Sequence, residues 1–356
     1  MKNSIKILMC GNHKSNKGGM TTVISQILDH DWSEDNIIIK FIPTYYSGKK
    51  FLTICYFIYA YIRVLFSYLL FKPNVFYTHM SVRGSFTRTK ALHRLSKYFN
   101  VPDIVHLHGS EFKDWYNSES ASKQEDIKAL IEECSSFIVL GKKWKEFVTA
   151  IAPKAKVIQV HNCIKIPDAT IEQNSRFQFL YLGVLIQRKG VIDLLEAINN
   201  LYNQNKIDNC TFAIGGTGPE EETLKKYVED NKLANIVRFH GWVTGLQKET
   251  LLQESSALIL PSYNEGLPVS ILEAMSYGLP IISTRVGDIE DAVDDTVNGY
   301  LFEPGDVNAL ANAICNVKDP EKWMQLSTAS RKKAETEFNI VQFYAELKKA
   351  WIGVIE

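Results

Sequence analysis

The sequence of 356 residues has little cysteine, and its six cysteines include no C-x-x-C pair. This scatter argues against a disulfide framework or a structural zinc site, and it is typical of a protein in a reducing compartment. The first ten residues lack the charged and then apolar pattern of a leader, so we expect no signal peptide. A content of 46% hydrophobic and 22% charged residues excludes the disordered, collagen-like and fibrous classes.

Acidic residues are missing between Asp35 and Asp103, a stretch that contains ten lysines and arginines. Residues 1–167 carry 23 basic and 13 acidic side chains, whereas residues 168–356 carry 17 and 27, so a net charge of zero hides two opposite halves. A basic half indicates an anionic neighbour, such as a membrane surface, a nucleic acid or a phosphorylated ligand. Simple attraction between two oppositely charged domains is the alternative. We expect no nucleic-acid partner, because the basic stretch lacks a stacking or groove-reading motif.

Short apolar runs rich in β-branched residues alternate with helical patterns along the whole chain, which predicts parallel sheets built from βαβ units. The length fits two domains. We predict two doubly wound, Rossmann-like α/β domains that face each other across a cleft, with a boundary in the polar segment 166–176. The domains are residues 1–167 and 168–337, and a helix at about 338–356 packs back on the first. The predicted strands lie at 5–11, 36–42, 74–80, 103–109, 135–141 and 156–162, and then at 177–183, 210–216, 236–241, 257–262 and 280–286.

The longest hydrophobic run, residues 51–71, contains one charge, Arg63, and is long enough to span a bilayer. A membrane-spanning helix is one interpretation, but it would separate the predicted strands 36–42 and 74–80 of one sheet and so destroy the fold. A buried crossover helix is a second interpretation. We favour a third, a helix that lies in the membrane interface, because its tyrosines and basic flanks suit the headgroup region and Arg63 can snorkel.

A basic segment follows this run, and it would add attraction to an anionic leaflet of roughly 1 kcal/mol per charge. The same charges could instead hold a phosphorylated acceptor. The segment contains Arg83, Arg88, Lys90, Arg94 and Lys97.

The strongest motif is NEGLPVSILEAMSYGLP at residues 264–280, in which Glu265 and Glu273 are eight positions apart. It follows the predicted strand 257–262. Pro268 suits the first turn of a helix. We therefore expect Glu265 in the loop before that helix and Glu273 about two turns inside it.

The turn between the two glutamates, Gly266, Leu267 and Pro268, predicts an anion site. Backbone N–H groups at the N-terminus of a helix point toward a ligand there. A carboxylate on the same helix, such as that of Glu273, can accept paired hydrogen bonds from vicinal hydroxyls like those of a ribose.

This motif resembles the E-x7-E signature of family 4 retaining glycosyltransferases, which have the GT-B fold. The resemblance covers essentially the whole chain and is densest from 177 to 310. Further matching segments are LGVLIQRKGVIDLLEAI (182–198), IGGTGPEEETLKK (214–226), FHGWV (239–243), NGYLFEPGD (298–306), GNHKSNKGGM (11–20) and HLHGSEF (106–112).

The resemblance implies that the C-terminal domain binds a nucleotide-sugar donor and that the N-terminal domain binds the acceptor. Glu273 would hold the ribose, and Glu265 with the backbone after it would hold sugar hydroxyls. Gly216 belongs to a turn that we interpret mainly as architecture, with a contact to the nucleotide.

The resemblance also implies a cluster that stabilises the departing diphosphate, made of Arg188, Lys189 and the loop at Gly18 and Gly19. The family often has an arginine where this sequence has Val184, and Arg188 is the candidate to supply that charge. Neither G-x-x-x-x-G-K-[ST] nor G-x-G-x-x-G follows the first strand, so the P-loop and dinucleotide-binding interpretations are weak.

His108 follows the strand at 103–107, and the matching histidine of the family lies beside the donor sugar and the acceptor. We expect His106 to point to the opposite strand face and to belong to the core. Glu111, next along the same loop, either orients the acceptor or caps a helix.

These observations together predict a retaining glycosyltransferase that moves a sugar from a nucleotide-sugar, which we expect to be a UDP-sugar, to a hydroxyl of a membrane-associated glycan or polyprenyl-diphosphate-linked acceptor. We expect it to act in surface polysaccharide biosynthesis as a cytoplasmic protein on the inner face of the cell membrane. No nucleophilic side chain stands out, so front-face attack by the acceptor is the working mechanism.

We expect no metal cofactor, because cations and N–H dipoles would stabilise the leaving group and no D-x-D motif lies in a plausible site. Two alternatives stay open. A sugar-nucleotide epimerase of the same fold would turn over a UDP-sugar alone, although the E-x7-E pattern argues against it. A catalytically silent scaffold at the membrane would bind a sugar nucleotide without turnover, and Val184 is the feature that favours it.

Overall fold

The computed structural model describes residues 4–168 and 177–356. The chain forms two compact units, one of Met1–His161 with Val341–Glu356 and the other of Asn162–Ile340. We had predicted domains of 1–167 and 168–337. Most of the predicted boundary segment, residues 169–176, lies outside the described residues.

The first unit is built on a six-stranded parallel sheet in the order β2-β1-β3-β4-β5-β6. A short 3₁₀ helix at Ser33–Asp35 precedes its second strand. The strands are β1 (Ile5–Asn12), β2 (Ile37–Tyr45), β3 (Val75–Met80), β4 (Asp103–Leu107), β5 (Ser136–Val139) and β6 (Val157–Gln159), and the helices between them are α1 (Gly19–Asp29), α2 (Lys50–Leu70), α3 (Gly84–Tyr98), α4 (Phe112–Ser118), α5 (Ala121–Glu133) and α6 (Lys142–Ile151).

The second unit repeats this architecture with a parallel sheet in the order β12-β11-β10-β7-β8-β9. A 3₁₀ helix at Gln187–Lys189 follows its first strand. The strands are β7 (Phe177–Leu182), β8 (Cys210–Gly215), β9 (Val237–Gly241), β10 (Ala257–Leu260), β11 (Ile281–Thr284) and β12 (Gly299–Phe302), and the helices are α7 (Val191–Asn203), α8 (Glu221–Asp230), α9 (Gly245–Glu254), α10 (Val269–Ser276), α11 (Ile289–Ala292), α12 (Val307–Val317) and α13 (Pro320–Glu337).

The last helix, α14 (Ile340–Ile352), contributes most of its length to the first unit. The ring of Trp351 packs against that of Tyr77 on β3, with centroids 5.5 Å apart. The hydroxyl of Tyr344 donates a hydrogen bond of 2.9 Å to the carbonyl of Gln26 in α1. A helix that is distant along the chain therefore covers, beside α1, part of one face of the N-terminal sheet.

Helix α2 covers part of the other face, since Ala60, Val64 and Tyr68 are buried in a cluster with Leu8 and Phe76 of the strands. It is long and apolar enough to cross a membrane, yet only 22% of its most apolar 18-residue window is buried. The helix is thus attached to the sheet along one side and leaves the rest of its surface exposed, which differs from a buried crossover helix.

Each sheet has a switch point where the strand order reverses, and open α/β sheets bind ligands just beyond the carboxyl ends of the strands there. In the first unit it lies between β1 and β3, with β4 next to β3. In the second unit it lies between β7 and β10. The loops that follow these strands are consequently the places to look for chemistry.

Candidate functional site

At the switch point of the second unit, the loops after β7 and β10 are joined by an ion pair. The ammonium of Lys189 donates to Oε1 of Glu265. The two side chains are only 14% and 7% exposed, so water screens the pair poorly. The hydroxyl of Ser262 donates to the same oxygen at 2.7 Å. Glu265, which was predicted to bind sugar hydroxyls, is therefore fixed by Lys189, which was predicted to face the diphosphate.

Arg188 lies in the same contact between loops. Its Nη1 donates to the carbonyl of Asn264 at 3.1 Å, and its own carbonyl accepts a 2.8 Å hydrogen bond from the N–H of Tyr263. At Val184, the position where the family often has arginine, the carbonyl accepts a hydrogen bond from the hydroxyl of Tyr181. The structure thus places Arg188, Lys189 and Glu265 together.

Helix α10 begins directly after Pro268, which was predicted to lie in its first turn. Pro268 has extended backbone (ψ 125°) and is its N-cap rather than part of its first turn. Since the helix starts at Val269 and ends at Ser276, Glu273 lies little more than one turn inside it, not two. The prediction of two turns was wrong because the proline was counted as helical.

Two hydrogen bonds from outside fix the turn before α10. The side-chain amide of Asn162 donates to the carbonyl of Leu267 at 2.6 Å, and the backbone N–H of Asp288 donates to the carbonyl of Gly266 at 3.0 Å. Because these carbonyls have partners, the turn holds one conformation at the helix N-terminus, where an anion is favoured.

Sequence reasoning missed the partner of Glu273, which is Lys248. Its ammonium lies 2.5 Å from Oε1 of Glu273, whose side chain is mostly buried. Lys248 belongs to the first turn of α9, 25 residues before Glu273, and nothing in the sequence pattern links the two positions. Ser262 was also missed, although it closes a predicted strand and so stands where functional side chains collect.

Gly216 follows the carboxyl end of β8, where a Cβ atom would overlap the carbonyl oxygen of Gly183. Only glycine permits this close approach of two backbones. The contact supports our interpretation of Gly216 as mainly architectural.

In the first unit, Gly18 and Gly19 follow β1 and open α1, as the sequence predicted. Gly18 is the N-cap of α1 with φ 129° and ψ 165°, a region that is essentially restricted to glycine. Its carbonyl accepts hydrogen bonds from the N–H groups of Thr21 and Thr22. The loop therefore reaches the helix through a conformation that another residue would strain.

Three histidines form the core of the N-terminal site. Nδ1 of His79 lies 2.8 Å from Nε2 of His108, and the ring centroids of His106 and His108 are 4.1 Å apart with the rings tilted by 35°. His106 is buried as predicted, but its predicted orientation was wrong, because residues two apart on a strand share a face. Its Nδ1 lies 2.6 Å from the hydroxyl of Tyr77. The sequence placed His79 in a strand but did not single it out.

Burial keeps these three imidazoles neutral at pH 7. It lowers the pKa of His79 and His106 well below the usual value and that of His108 to about 3. Their ligand nitrogens lie within 4.8 Å of one another. Tetrahedral zinc ligands are about 3.3 Å apart, given Zn–N bonds of 2.0–2.1 Å. The nitrogens would have to move closer together to hold an ion.

The residues predicted to bind the acceptor or membrane fall into two places. Arg83, in the loop after β3, donates to Oε2 of Glu111 at 2.9 Å, which ties this loop to the one after β4. Glu111 is at the N-cap of α4 but makes no side-chain capping bond. Arg88 lies over the ring of Tyr45, while Lys90 pairs with Asp126 on α5 at 2.8 Å.

Comparison with known proteins gives one family and many relatives. Residues 164–333 match the family described as glycosyl transferases group 1. The chain is 27% identical over 322 residues to UDP-Gal:alpha-D-GlcNAc-diphosphoundecaprenol alpha-1,3-galactosyltransferase of Escherichia coli, covering 80% of this chain and 76% of the relative. It is 26% identical to the amylovoran biosynthesis glycosyltransferase AmsK of Erwinia amylovora, covering 78% and 69%.

Solved structures show the same fold over nearly the whole length. Sucrose-phosphate synthase from Thermosynechococcus elongatus superposes with a TM-score of 0.83 at 18% identity, covering 98% of this chain and 99% of that chain. HepE of Anabaena in complex with UDP gives a TM-score of 0.78 at 17% identity, covering 98% and 100%. The predicted GT-B class, with two Rossmann-like domains, is confirmed.

Proposed function

We propose that this chain, a glycosyltransferase whose residues 164–333 belong to glycosyl transferases group 1, moves a sugar from a UDP-sugar to a hydroxyl of a membrane-bound glycan or lipid-linked acceptor. The E. coli relative is named for UDP-Gal and a diphosphoundecaprenol-linked substrate, and the AmsK relative for the synthesis of a polysaccharide. These names support a place in surface polysaccharide biosynthesis, and we propose that the protein acts on the cytoplasmic side of the membrane.

The observation that carries this proposal is the Lys189–Glu265 pair at the β7/β10 switch point. A UDP-sugar leaves a diphosphate whose negative charge grows as the glycosidic bond breaks. Lys189 would stabilise that charge, with Arg188 beside it, because preorganised cations act strongly in a poorly solvated site. Glu265 would accept hydrogen bonds from sugar hydroxyls, and Glu273 from the ribose.

We propose that the transfer needs no divalent metal, since Lys189 and Arg188 supply positive charge where the diphosphate departs. The measurement is turnover after treatment with EDTA and again after addition of Mg²⁺ or Mn²⁺. We expect rates within about twofold of each other. A rate that collapses with EDTA and returns with one metal would contradict this part of the proposal.

We propose retention of the anomeric configuration with front-face attack by the acceptor hydroxyl. Both Lys189 and Ser262 donate to the Glu265 carboxylate, which suits it to binding hydroxyls more than to attacking carbon. The anomeric configuration of the product, read by NMR, tests this. A product with inverted configuration would overturn it.

The outward surface of α2 supports a membrane-bound acceptor. Its exposed side chains are large and apolar, and Arg63, Lys50 and Lys72 stand among or beside them. A continuous exposed apolar surface of this kind marks an interaction site, and basic flanks complement anionic headgroups. We propose that α2 lies in the leaflet surface with its sheet-facing side still packed. The exposed set is Phe51, Leu52, Ile54, Ile58, Tyr59, Ile62, Phe66, Leu69 and Leu70.

Cosedimentation with vesicles tests the membrane part. We expect the protein to bind phosphatidylglycerol-containing vesicles at low salt and to bind phosphatidylcholine vesicles less. The double variant Phe51→Asp, Ile58→Asp should lose binding. The matched control is Leu246→Asp, which also alters an exposed apolar residue but in the other unit. Wild-type protein that ignores anionic vesicles would refute the proposal for α2.

Calorimetric titration with UDP, GDP and ADP, without metal, tests the donor site. We expect UDP to bind and Glu273→Ala to weaken binding by about ten- to a hundredfold, the loss expected for hydrogen bonds to a charged group. Glu229→Ala, at an exposed glutamate of α8, should bind like wild type. Failure of the folded protein to bind any nucleotide would remove the donor assignment.

Turnover assays with the same protein distinguish the two alternative functions, the epimerase and the scaffold. Isomerisation of a UDP-sugar without acceptor would support the epimerase. Binding without any turnover across a panel of acceptors would support the scaffold.

A further inference from the structure

The contact between His79 and His108 determines where the proton of each ring lies. Both imidazoles are neutral, so each carries one N–H, and between the facing Nδ1 of His79 and Nε2 of His108 one nitrogen must donate and the other accept. His79 is buried, and among the described residues its Nε2 has no hydrogen-bond partner. This second nitrogen decides between the two arrangements.

A proton on Nε2 of His79 would be a buried donor without an acceptor. Such a group costs about 1–3 kcal/mol, and orphaned buried N–H groups are rare in folded proteins. An unprotonated Nε2 at that place costs less free energy than a buried N–H without an acceptor. The proton of His79 therefore belongs on Nδ1, from which it donates to Nε2 of His108.

We propose that His79 is a positioning residue that fixes His108 in the tautomer with its proton on Nδ1. His108 then presents an N–H to the substrate side, where it donates a hydrogen bond to a sugar or acceptor oxygen and does not act as a base. This inference rests on the proposed function, under which His108, directly after β4, would lie beside the acceptor. It adds His79, which the sequence did not single out, to the residues that set the reaction.

The surroundings of the pair favour a fixed proton. The tilted ring of His106 contacts that of His108 with centroids 4.1 Å apart, Tyr77 packs edge-on to His79, and the backbone N–H of His108 donates to the carbonyl of Met80 at 2.8 Å. These contacts hold the two rings in one relative orientation. Aromatic rings and a backbone carbonyl are thus among the groups that contact the pair.

Nitrogen NMR of the full chain, labelled with ¹⁵N-histidine, tests the proposal directly. A two-bond ¹H–¹⁵N correlation spectrum distinguishes a protonated ring nitrogen from a bare one, and a His108→Gln spectrum assigns the signal. We expect His108 to be protonated at Nδ1 and bare at Nε2. Protonation at Nε2 in the wild-type protein overturns the proposal without the need for any further variant.

Turnover then tests the positioning role. His79→Leu removes the donor, and we expect mixed tautomers at His108 and a kcat reduced at least about fivefold, the value of one ordinary hydrogen bond, with an unchanged KM for the donor. His79→Asn can donate from a nitrogen placed like Nδ1 and should restore the tautomer and kcat. Tyr77→Phe, which alters the same cluster but not this contact, should behave like wild type.

Two outcomes would count against the role of His79. Mixed tautomers in His79→Leu with unchanged kcat would show that the positioning has no effect on transfer. Tight one-to-one binding of Zn²⁺, lost in His79→Leu, would show that the nitrogens are metal ligands. Because the spectrum reads a proton and not turnover, it decides the tautomer even if the Glu273→Ala titration contradicts the proposed donor site.

Discussion

The two switch points of this molecule hold opposite chemistry in the same architecture. At β7 and β10 the side chains are charged, and Lys189 pairs with Glu265 in a mostly buried contact. At β3 and β4 the buried histidines are neutral, and His79 meets His108 within a group of aromatic rings. Both sheets are parallel and six-stranded, so the backbone does not cause the difference.

The difference indicates a division of tasks. A departing diphosphate gains negative charge, and fixed cations stabilise it best where water is scarce. A hydroxyl that attacks or is held in place is neutral at the start, and neutral donors can orient it without the cost of burying a charge. Substitutions at each of the two sites test this division.

The largest effect is expected at the charged site. Lys189→Ala removes the cation and leaves Glu265 buried without its partner, which is costly. We expect kcat to fall by about 10²–10³-fold, the range found when one preorganised donor is removed, as measured by UDP release. Lys226→Ala, at an exposed lysine of α8, is the control. A loss below about fivefold would mean that the charges of this site do not act on the leaving group.

A smaller effect is expected from acid at the neutral site. The unfolded chain protonates its histidines below about pH 6.5, whereas burial keeps the pKa of His79 and His106 well below that value. The unfolded state thus binds more protons, and stability falls as the pH drops below about 6.5. The slope approaches about 1.4 kcal/mol per pH unit for each buried histidine.

Hydrogen exchange resolves this effect by unit. Between pH 7 and 5, amides of β3 and β4 should lose protection faster than those of β7 and β8, after correction for the intrinsic exchange rate. His106→Leu should reduce the pH dependence of the free energy of unfolding by the contribution of one buried histidine. Equal slopes in the two units would remove the distinction between a neutral and a charged site.

Ser262→Ala separates the ion pair from its supporting hydrogen bond. It removes the 2.7 Å donation to Glu265 and leaves Lys189 in place, so we expect kcat to fall about five- to tenfold, as for a hydrogen bond of about 1–1.5 kcal/mol. Ser283→Ala is a matched control, because that buried hydroxyl donates to the carbonyl of Leu260 at the same 2.7 Å. Equal losses in both variants would point to packing and not to Glu265.

The smallest effect is expected at the ion pair of Arg83 and Glu111, which lies near the neutral site. Arg83 and Glu111 are 67% and 35% exposed, and exposed pairs contribute little. Arg83→Ala should change kcat by less than about threefold, and that change should shrink further in 0.5 M salt because of screening. A tenfold loss that persists in high salt would show that Arg83 touches the acceptor.

Much of the fold could be predicted from the sequence because parallel strands are buried on both faces and read as apolar runs. All eleven predicted strands are present. The twelfth, Gly299–Phe302, has four residues and lies inside NGYLFEPGD, where it was noticed as a motif and not as a strand. The family resemblance and the enzyme class are confirmed by the matches to glycosyltransferases.

The contacts within each site could not be read from the sequence, since they depend on strand order and register. His79 faces His106 because β3 pairs with β4 in that register, and no local pattern reports such a pairing. Lys248 of α9 contacts Glu273 of α10, and no local pattern reports this contact between helices either. The predicted orientation of His106 was a different kind of error, because alternation alone places residues 106 and 108 on one face. The roles assigned to the site residues remain predictions.

The divided first unit has a consequence for biosynthesis. Its sheet leaves the ribosome first, but Trp351, which packs on Tyr77, follows only after all of Asn162–Ile340. At translation rates of about 5–20 residues per second, that delay is on the order of ten seconds or more. The nascent N-terminal sheet waits with part of one apolar face uncovered while the later, contiguous unit can already fold. Chaperones should therefore engage the part of the chain that is made first, and a cut near the C-terminus should expose the N-terminal sheet.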